Sequence, residues 1–291
     1  MTTKELLAPI AWPTLLSATL FLTYLGFRTD VDKELIILGG YSFLAFSIFV
    51  FESYMPHEKS WQENDGQVTN DILHTVLGAA TPEFLATSIV TLLFSGLAVT
   101  LAASFPYSLW PKTWFLPAQI FLALLVADFG LYWAHRLGHE VDFFWRFHAL
   151  HHTPARLCFI NTGRFHFVDS FKSTLFGLPL LVMLSPPEQV ILWYVAFYNY
   201  VGILSHCNVE MRLGAFNYIF NTPGVHRWHH SKVLSESNNN YGEILMLWDI
   251  IFGTHLIPDR RPPADIGIDY TVPRGFFAQL AFPFTLKKNN G

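Results

Sequence analysis

Long apolar runs separated by short polar stretches dominate the chain. Leu6 to Phe27 carries no charge and ends at Arg28, and Leu35 to Phe51 is a second charge-free run. A polar stretch follows, with Glu52, His57, Glu58, Lys59, Glu63 and Asp65. Phe84 to Ser104 is the third run, closed by "FPYSLWPK", a turn whose aromatic rings suit a membrane interface. Thr113 to Ala134 is the fourth, broken only by Asp128. Two shorter pieces, Leu175–Leu184 and Val190–Ser205, flank "SPPEQ". A helix needs about 20 apolar residues to cross a bilayer core. The pattern therefore predicts four long transmembrane helices and a membrane hairpin. The first run has neither a basic leader nor a small-residue cleavage site, which makes it a retained helix and not a signal peptide.

Composition agrees with this reading. Of 291 residues only 14% are charged, against about 25% in a soluble domain. A net charge of −4 speaks against a nucleic-acid surface. Cys158 and Cys207 have no spaced partners and read as reduced thiols. Counting spans puts the N-terminus with Lys4, loop 52–83, segment 135–172 and everything after His206 on one side. That side holds 15 of the lysines and arginines, and Arg28, Lys33 and Lys112 make up the 3 opposite. The positive-inside rule makes it the cytoplasmic side. The expected fold is an all-α integral membrane protein with a cytosolic helical cap. "FFAQLAFPFTL" (276–286) reads as a segment lying along the interface.

Eight of the thirteen histidines sit in three clusters: "HRLGH" at His135–His139, "HALHH" at His148–His152 and "HRWHH" at His226–His230. On a helix His135 and His139 share a face. In the second cluster His148 stacks with His151 and His152, whose rings diverge by about 100°. One short helix then serves two metals or grips one from two directions, and His226, His229 and His230 repeat the device. Neutral imidazole is the commonest metal ligand. Histidine tracts that bind metals loosely are low-complexity, whereas these clusters are spaced and set among aromatic and apolar residues. Eight nitrogens suit two ions with four or five ligands each. Imidazole serves zinc, copper, iron and nickel alike, so spacing leaves the metal open.

Ligand histidines usually give their other N–H to a carboxylate or carbonyl. Asp128, two turns before His135 and inside a span, is the leading candidate, since an intramembrane carboxylate is costly and usually functional. Asp249 in "LWD" is the second candidate catalytic-site carboxylate, with Asp71 behind it, and Asn238–Asn240 are candidates to fix the metal helices. Arg136, Arg146, Arg164 and Arg227 adjoin the clusters as candidates to neutralise carboxylates or anchor lipid headgroups, with solvated interfacial arginine the commoner reading. A membrane metal carrier would place polar ligands within the spans, and a haem electron carrier would pair histidines on facing spans. Neither pattern is present.

In order along the chain, "ADFGLYWAHRLGH", "FWRFHALHHT", "SHCN", "TPGVHRWHHS" and "NNNYGEILMLWDIIFGTH" resemble the fatty acid hydroxylase/sterol desaturase superfamily, from about Asp71 to Thr254. The resemblance divides the chain into membrane spans and a loop at 1–70, a di-metal domain at 71–256 and an interfacial tail at 257–291. It implies two iron ions at the cytosolic membrane face, O₂ as co-substrate, and hydroxylation or desaturation of a lipid C–H bond. Isolated protein can carry zinc in the same sites. The resemblance makes ligands of His135, His139, His148, His151, His152, His226, His229 and His230. It adds His206 in "SHCN", and His166 in "RFHF", where relatives have R-x-H-P and this chain has Phe167. Hydroxylation of a sterol, fatty acyl or related lipid is the leading expectation. A desaturase, or a non-catalytic membrane protein that binds or transports metal, is the alternative. With no fused electron-transfer domain visible, a separate reductase is the expected partner, in a bacterial inner membrane or the endoplasmic reticulum.

Overall fold

The structure, a computed structural model, describes residues 2–104 and 109–285. Its helices in chain order are α1 (Thr3–Leu7), α2 (Ala11–Gly26), α3 (Lys33–Tyr54), α4 (Val68–Leu73), α5 (Thr81–Ser104), α6 (Leu116–Glu140), α7 (Asp142–His148), α8 (Phe167–Leu184), α9 (Glu188–Ser205), α10 (Pro223–His229), α11 (Leu234–Ser237), α12 (Leu247–Phe252) and α13 (Phe276–Thr285). A π-helical turn, His74–Ala80, joins α4 to α5. Among the described residues β structure is limited to three isolated bridges, so the protein is all-α.

Four helices are long and apolar enough to cross a membrane: Lys33–Tyr54, Val68–Leu101, Leu116–Glu140 and Phe167–Leu184. The number matches the sequence expectation, but one member differs. Leu6–Phe27 is not one helix. Pro9 has no N–H for the Glu5 carbonyl and Pro13 has none for that of Pro9, so the chain turns between α1 and α2. The 16 residues of α2 rise only about 24 Å. The fourth crossing helix is α8, which starts at Phe167 and not at Leu175 because Asp169 and Lys172 neutralise each other, their atoms 2.5 Å apart. Ser185, at φ 52°, and the two prolines after it end α8. Residues 105–108 of the expected turn lie outside the described residues. Trp110 in the same stretch is buried and donates its indole N–H to Gln119 Oε1 at 2.9 Å.

The described chain forms two compact units that interleave in sequence, with the division falling inside α9. The first takes the chain up to Asp65, Ala155–Thr162 and Val195–Gly267. In it α2 packs on α3. Tyr200 of α9 makes a 2.8 Å hydrogen bond with Thr23 and donates to the Ile37 carbonyl at 3.1 Å. Trp61, Leu157 and Ile266 form a buried hydrophobic cluster in the same unit.

The second unit takes Gly66–Pro154, Gly163–Tyr194 and the chain from Ile268. In it α8 packs along both α5 and α6. The α6–α8 approach depends on glycine. A Cβ on Gly130 would stand 2.0 Å from the Phe176 carbonyl oxygen, and one on Gly177 would stand 2.8 Å from the Leu131 side chain. The burial pattern is inverted relative to a soluble protein: Asp128 is fully buried while Leu92 is 78% exposed on α5. Such a sheath faces lipid without penalty. The tail segment forms α13, with Phe276, Gln279 and Phe282 buried and Phe277 and Phe284 exposed. Its last residue, Leu286, lies outside the described residues. Phe282 packs on Trp145 and Ala149.

Alanine at Gly130 meets backbone that cannot rotate away, so G130A is expected to destabilise the second unit by about 1–3 kcal/mol. Thermal unfolding in detergent measures this. G39A is the control, because a Cβ there meets nothing within 4 Å.

Candidate metal centre

In the second unit, α6 continues through the first histidine cluster and places His135 and His139 one turn apart, with ring centroids 5.4 Å from each other. Helix α7 ends at His148. The chain then tightens: the His151 N–H reaches the His148 carbonyl at 2.9 Å, and the His152 N–H reaches that of Ala149 at 3.0 Å. The second cluster is therefore a helix end followed by turns, not the single short helix its spacing predicts. The turns bring His152 Nε2 to 3.1 Å from His139 Nε2 and to 3.1 Å from His148 Nε2. Ligand atoms of His135, His139, His148 and His152 all lie within 4.8 Å of one another, and all four residues are buried.

In the first unit, Thr222 caps α10 by accepting the Val225 N–H, and Pro223 opens the helix. Helix α10 carries His226 and His229, and His230 is its C-cap. His206 follows the end of α9. His226 Nε2 stands 2.8 Å from His206 Nε2 and 3.0 Å from His230 Nε2. The three residues are buried, with ligand atoms within 4.8 Å of one another.

These distances fit a metal. An ion about 2.1 Å from each nitrogen sets ligands at right angles about 3.0 Å apart and opposed ligands about 4.2 Å apart. The far ring nitrogens of His148, His229 and His206 face oxygen acceptors, as those of metal ligands usually do. His148 Nδ1–H donates to Asp169 at 2.8 Å, and His229 Nδ1–H donates to the Asn239 carbonyl at 2.8 Å. His206 Nδ1 faces Asn161 Oδ1 at 3.4 Å. Asn221 Nδ2 stands 3.4 Å from His226 Nδ1. Burial pushes the His148 pKa down to about 4, so the ring is neutral near pH 7. Burial pushes the Cys158 and Cys207 thiols up to about 11 and about 12, which keeps both protonated.

Of the ten histidines expected as ligands, His135, His139, His148 and His152 come together in one unit and His206, His226 and His230 in the other. His151 is buried in the second unit with its ring stacked on Phe165, centroids 4.3 Å apart. His229 is buried in the first. His166 joins neither group: its Nδ1 accepts the Val168 N–H at the start of α8, and its Nε2–H donates to the Leu280 carbonyl. Asp128 lies on the buried face of α6 with His135. Asp249 accepts the N–H groups of Tyr241 and Gly242 and the Thr254 hydroxyl at 2.7–2.8 Å. Asp71 pairs with Arg164 at 2.5 Å. Asn240, at φ 59°, donates to the Val225 and Leu256 carbonyls.

Arg164 and Arg227 are buried, not solvated. Arg227 donates to the Cys207 and Val209 carbonyls and so holds the segment that follows His206; burial lowers its pKa to about 10. Sequence reasoning missed Asp169, Lys172, Asn161 and Asn221. The signal for the first two was present, as two opposite charges at i,i+3 ahead of an apolar run.

The Fatty acid hydroxylase family profile matches residues 120–254, which include all three clusters. The chain is 46% identical over 281 residues to the ornithine lipid hydroxylase OlsE of Rhizobium tropici, covering 96% of this chain and 84% of that protein. It is 31% identical over 155 residues to the alkylglycerol monooxygenase of Xenopus tropicalis, covering 53% of this chain and 34% of that one. The human alkylglycerol monooxygenase is 32% identical over 148 residues, with 51% and 33% covered. The chain thus spans about a third of the length of these two monooxygenases. No solved structure matches the chain. Similarity over nearly its whole length to a lipid hydroxylase, with the profile match across every histidine cluster, makes this chain a member of the fatty acid hydroxylase/sterol desaturase superfamily.

Proposed function

We propose that the protein is a membrane di-iron oxygenase that uses O₂ and external electrons to hydroxylate a C–H bond of a membrane lipid. The observation that carries the reading is the pair of buried imidazole groups, each with ligand nitrogens at metal-ligand separations. One iron is assigned to His135, His139, His148 and His152, and the other to His206, His226 and His230. His151 and His229, from the same two clusters, are further ligands. His166 is assigned to capping α8, and Asp128 is retained as a carboxylate behind the metal helices. When bound, iron supplies the O₂ activation that no side chain provides. The protein's own groups hold and aim the ligand rings, and burial keeps water from competing with the lipid for the oxidant.

The substrate class proposed is an ornithine-bearing lipid, from the 46% identity to OlsE. A separate reductase supplies the electrons. The clusters are assigned to the cytoplasmic face, a reading that the cationic bias of the sequence supports. Cysteines placed at the exposed Glu63 and Asp259 are expected to label from the cytoplasm and one at Asp30 from the opposite side. Labelling of all three from one side sinks this topology.

The activity test loads purified protein with Fe(II) and supplies a ferredoxin–reductase system, ornithine lipid and ¹⁸O₂. The expected product is the lipid with one added oxygen carrying the label. An unlabelled alkene assigns desaturation instead. If an iron-loaded, reducible protein gives neither product with ornithine lipid or with a total lipid extract, the oxygenase reading fails.

A further inference from the structure

Helix α8 sends two opposite charges into the second unit. Asp169 Oδ2 takes the His148 Nδ1–H at 2.8 Å, and Asp169 Oδ1 takes a proton of the Lys172 ammonium at 2.5 Å. The three side chains are 94% or more buried. The Lys172 ammonium also lies 5.5 Å from the centre of the Phe144 ring. The array passes over Gly138, the glycine of "HRLGH": a Cβ there would stand 3.2 Å from Lys172 Nζ and 3.2 Å from the His148 ring. The first cluster thus leaves room for a charge array that ends on a histidine of the second.

We infer that Asp169 and Lys172 are a positioning pair that sets how strongly His148 binds its metal. The inference rests on the proposed reading of His148 as a ligand. Removing two charges from water is costly, and apolar side chains of similar volume would pack the same space as well or better. The placement of the carboxylate between ring and ammonium points to a role at the ring. A carboxylate on Nδ1–H makes the imidazole a stronger donor at Nε2. The ammonium offsets that charge and adds a positive charge near the bound cation. The two residues therefore act on metal affinity in opposite directions.

Two near-isosteric changes separate this role from a structural strut. D169N keeps an oxygen for the ring N–H and removes the negative charge. K172Q keeps an N–H donor for Asp169 and removes the positive charge. Co(II) affinity is measured by chelator competition on the detergent-purified chain, with size-exclusion elution as the folding check. D169N is expected to weaken binding about 10–100-fold, K172Q to tighten it several-fold, and K172R to match wild type. Should D169N fail to fold, the direction of the K172Q shift decides alone. Weaker binding in K172Q, or no change in either variant, overturns the inference while leaving the metal reading intact. A wild-type chain that takes up no Co(II) overturns the metal reading itself, and this inference with it.

Discussion

With two irons bound as proposed, alanine at His152 or His226 is expected to cost one of them and to lower lipid hydroxylation by about a thousandfold or more, since the chemistry would belong to the metals. Each ring is the hub of its group. His152 Nε2 is 3.1 Å from the Nε2 atoms of both His139 and His148, and His226 Nε2 is 2.8 and 3.0 Å from those of His206 and His230. Removing a hub leaves ligands that no longer share one centre. The controls are H57A and H255A. His57 pairs with Glu210 at 2.8 Å and His255 donates to the Asn217 carbonyl at 3.0 Å, and neither belongs to a metal group. Both controls are expected to keep their metal. Metal per chain by mass spectrometry and ¹⁸O incorporation are the measurements. Equal metal content in H152A and H255A would mean that the clusters are not the metal site.

The parts of the architecture that were legible in the sequence are those set by local composition. Charge-free runs of about 20 residues announce crossing helices, and α3, α5 and α6 follow them closely. Where a run's fate depends on a partner, the pattern misleads. Leu6–Phe27 has the hydropathy of a span, but two prolines break its hydrogen-bond ladder. The apolar part of α8 looks too short, because the sequence cannot show that Asp169 and Lys172 neutralise each other and meet His148. The histidine clusters were legible because metal ligation demands spacing. His206 was legible only through the family resemblance, since a lone histidine at a helix end has no spacing to read. Arg227 reads as a solvated interfacial residue. It is buried because two backbone carbonyls, at Cys207 and Val209, come within its reach only in three dimensions.

Asp249 divides structural from catalytic roles most sharply. It is fully buried and holds together the segment whose Asn239 carbonyl takes the His229 N–H and whose Asn240 amide binds the Val225 carbonyl of α10. D249A strands the Tyr241 and Gly242 N–H groups and the Thr254 hydroxyl. A buried donor left unsatisfied costs about 1–3 kcal/mol, so the three together approach the whole stability margin of an ordinary domain. D249A is therefore expected to leave little folded protein by size exclusion in detergent. D249N keeps one acceptor oxygen and turns an N–H toward a donor that needs an acceptor, so an intermediate melting temperature is expected. D249E is expected to lower the melting temperature as well, because its longer side chain moves the carboxylate off the Tyr241 and Gly242 N–H groups that Asp249 takes at 2.8 and 2.7 Å. Because Asp249 acts on the metal helix through backbone, metal content and turnover per chain are expected to fall together in D249N. A variant that folds, keeps full metal and still loses turnover would show that Asp249 meets the reacting atoms directly.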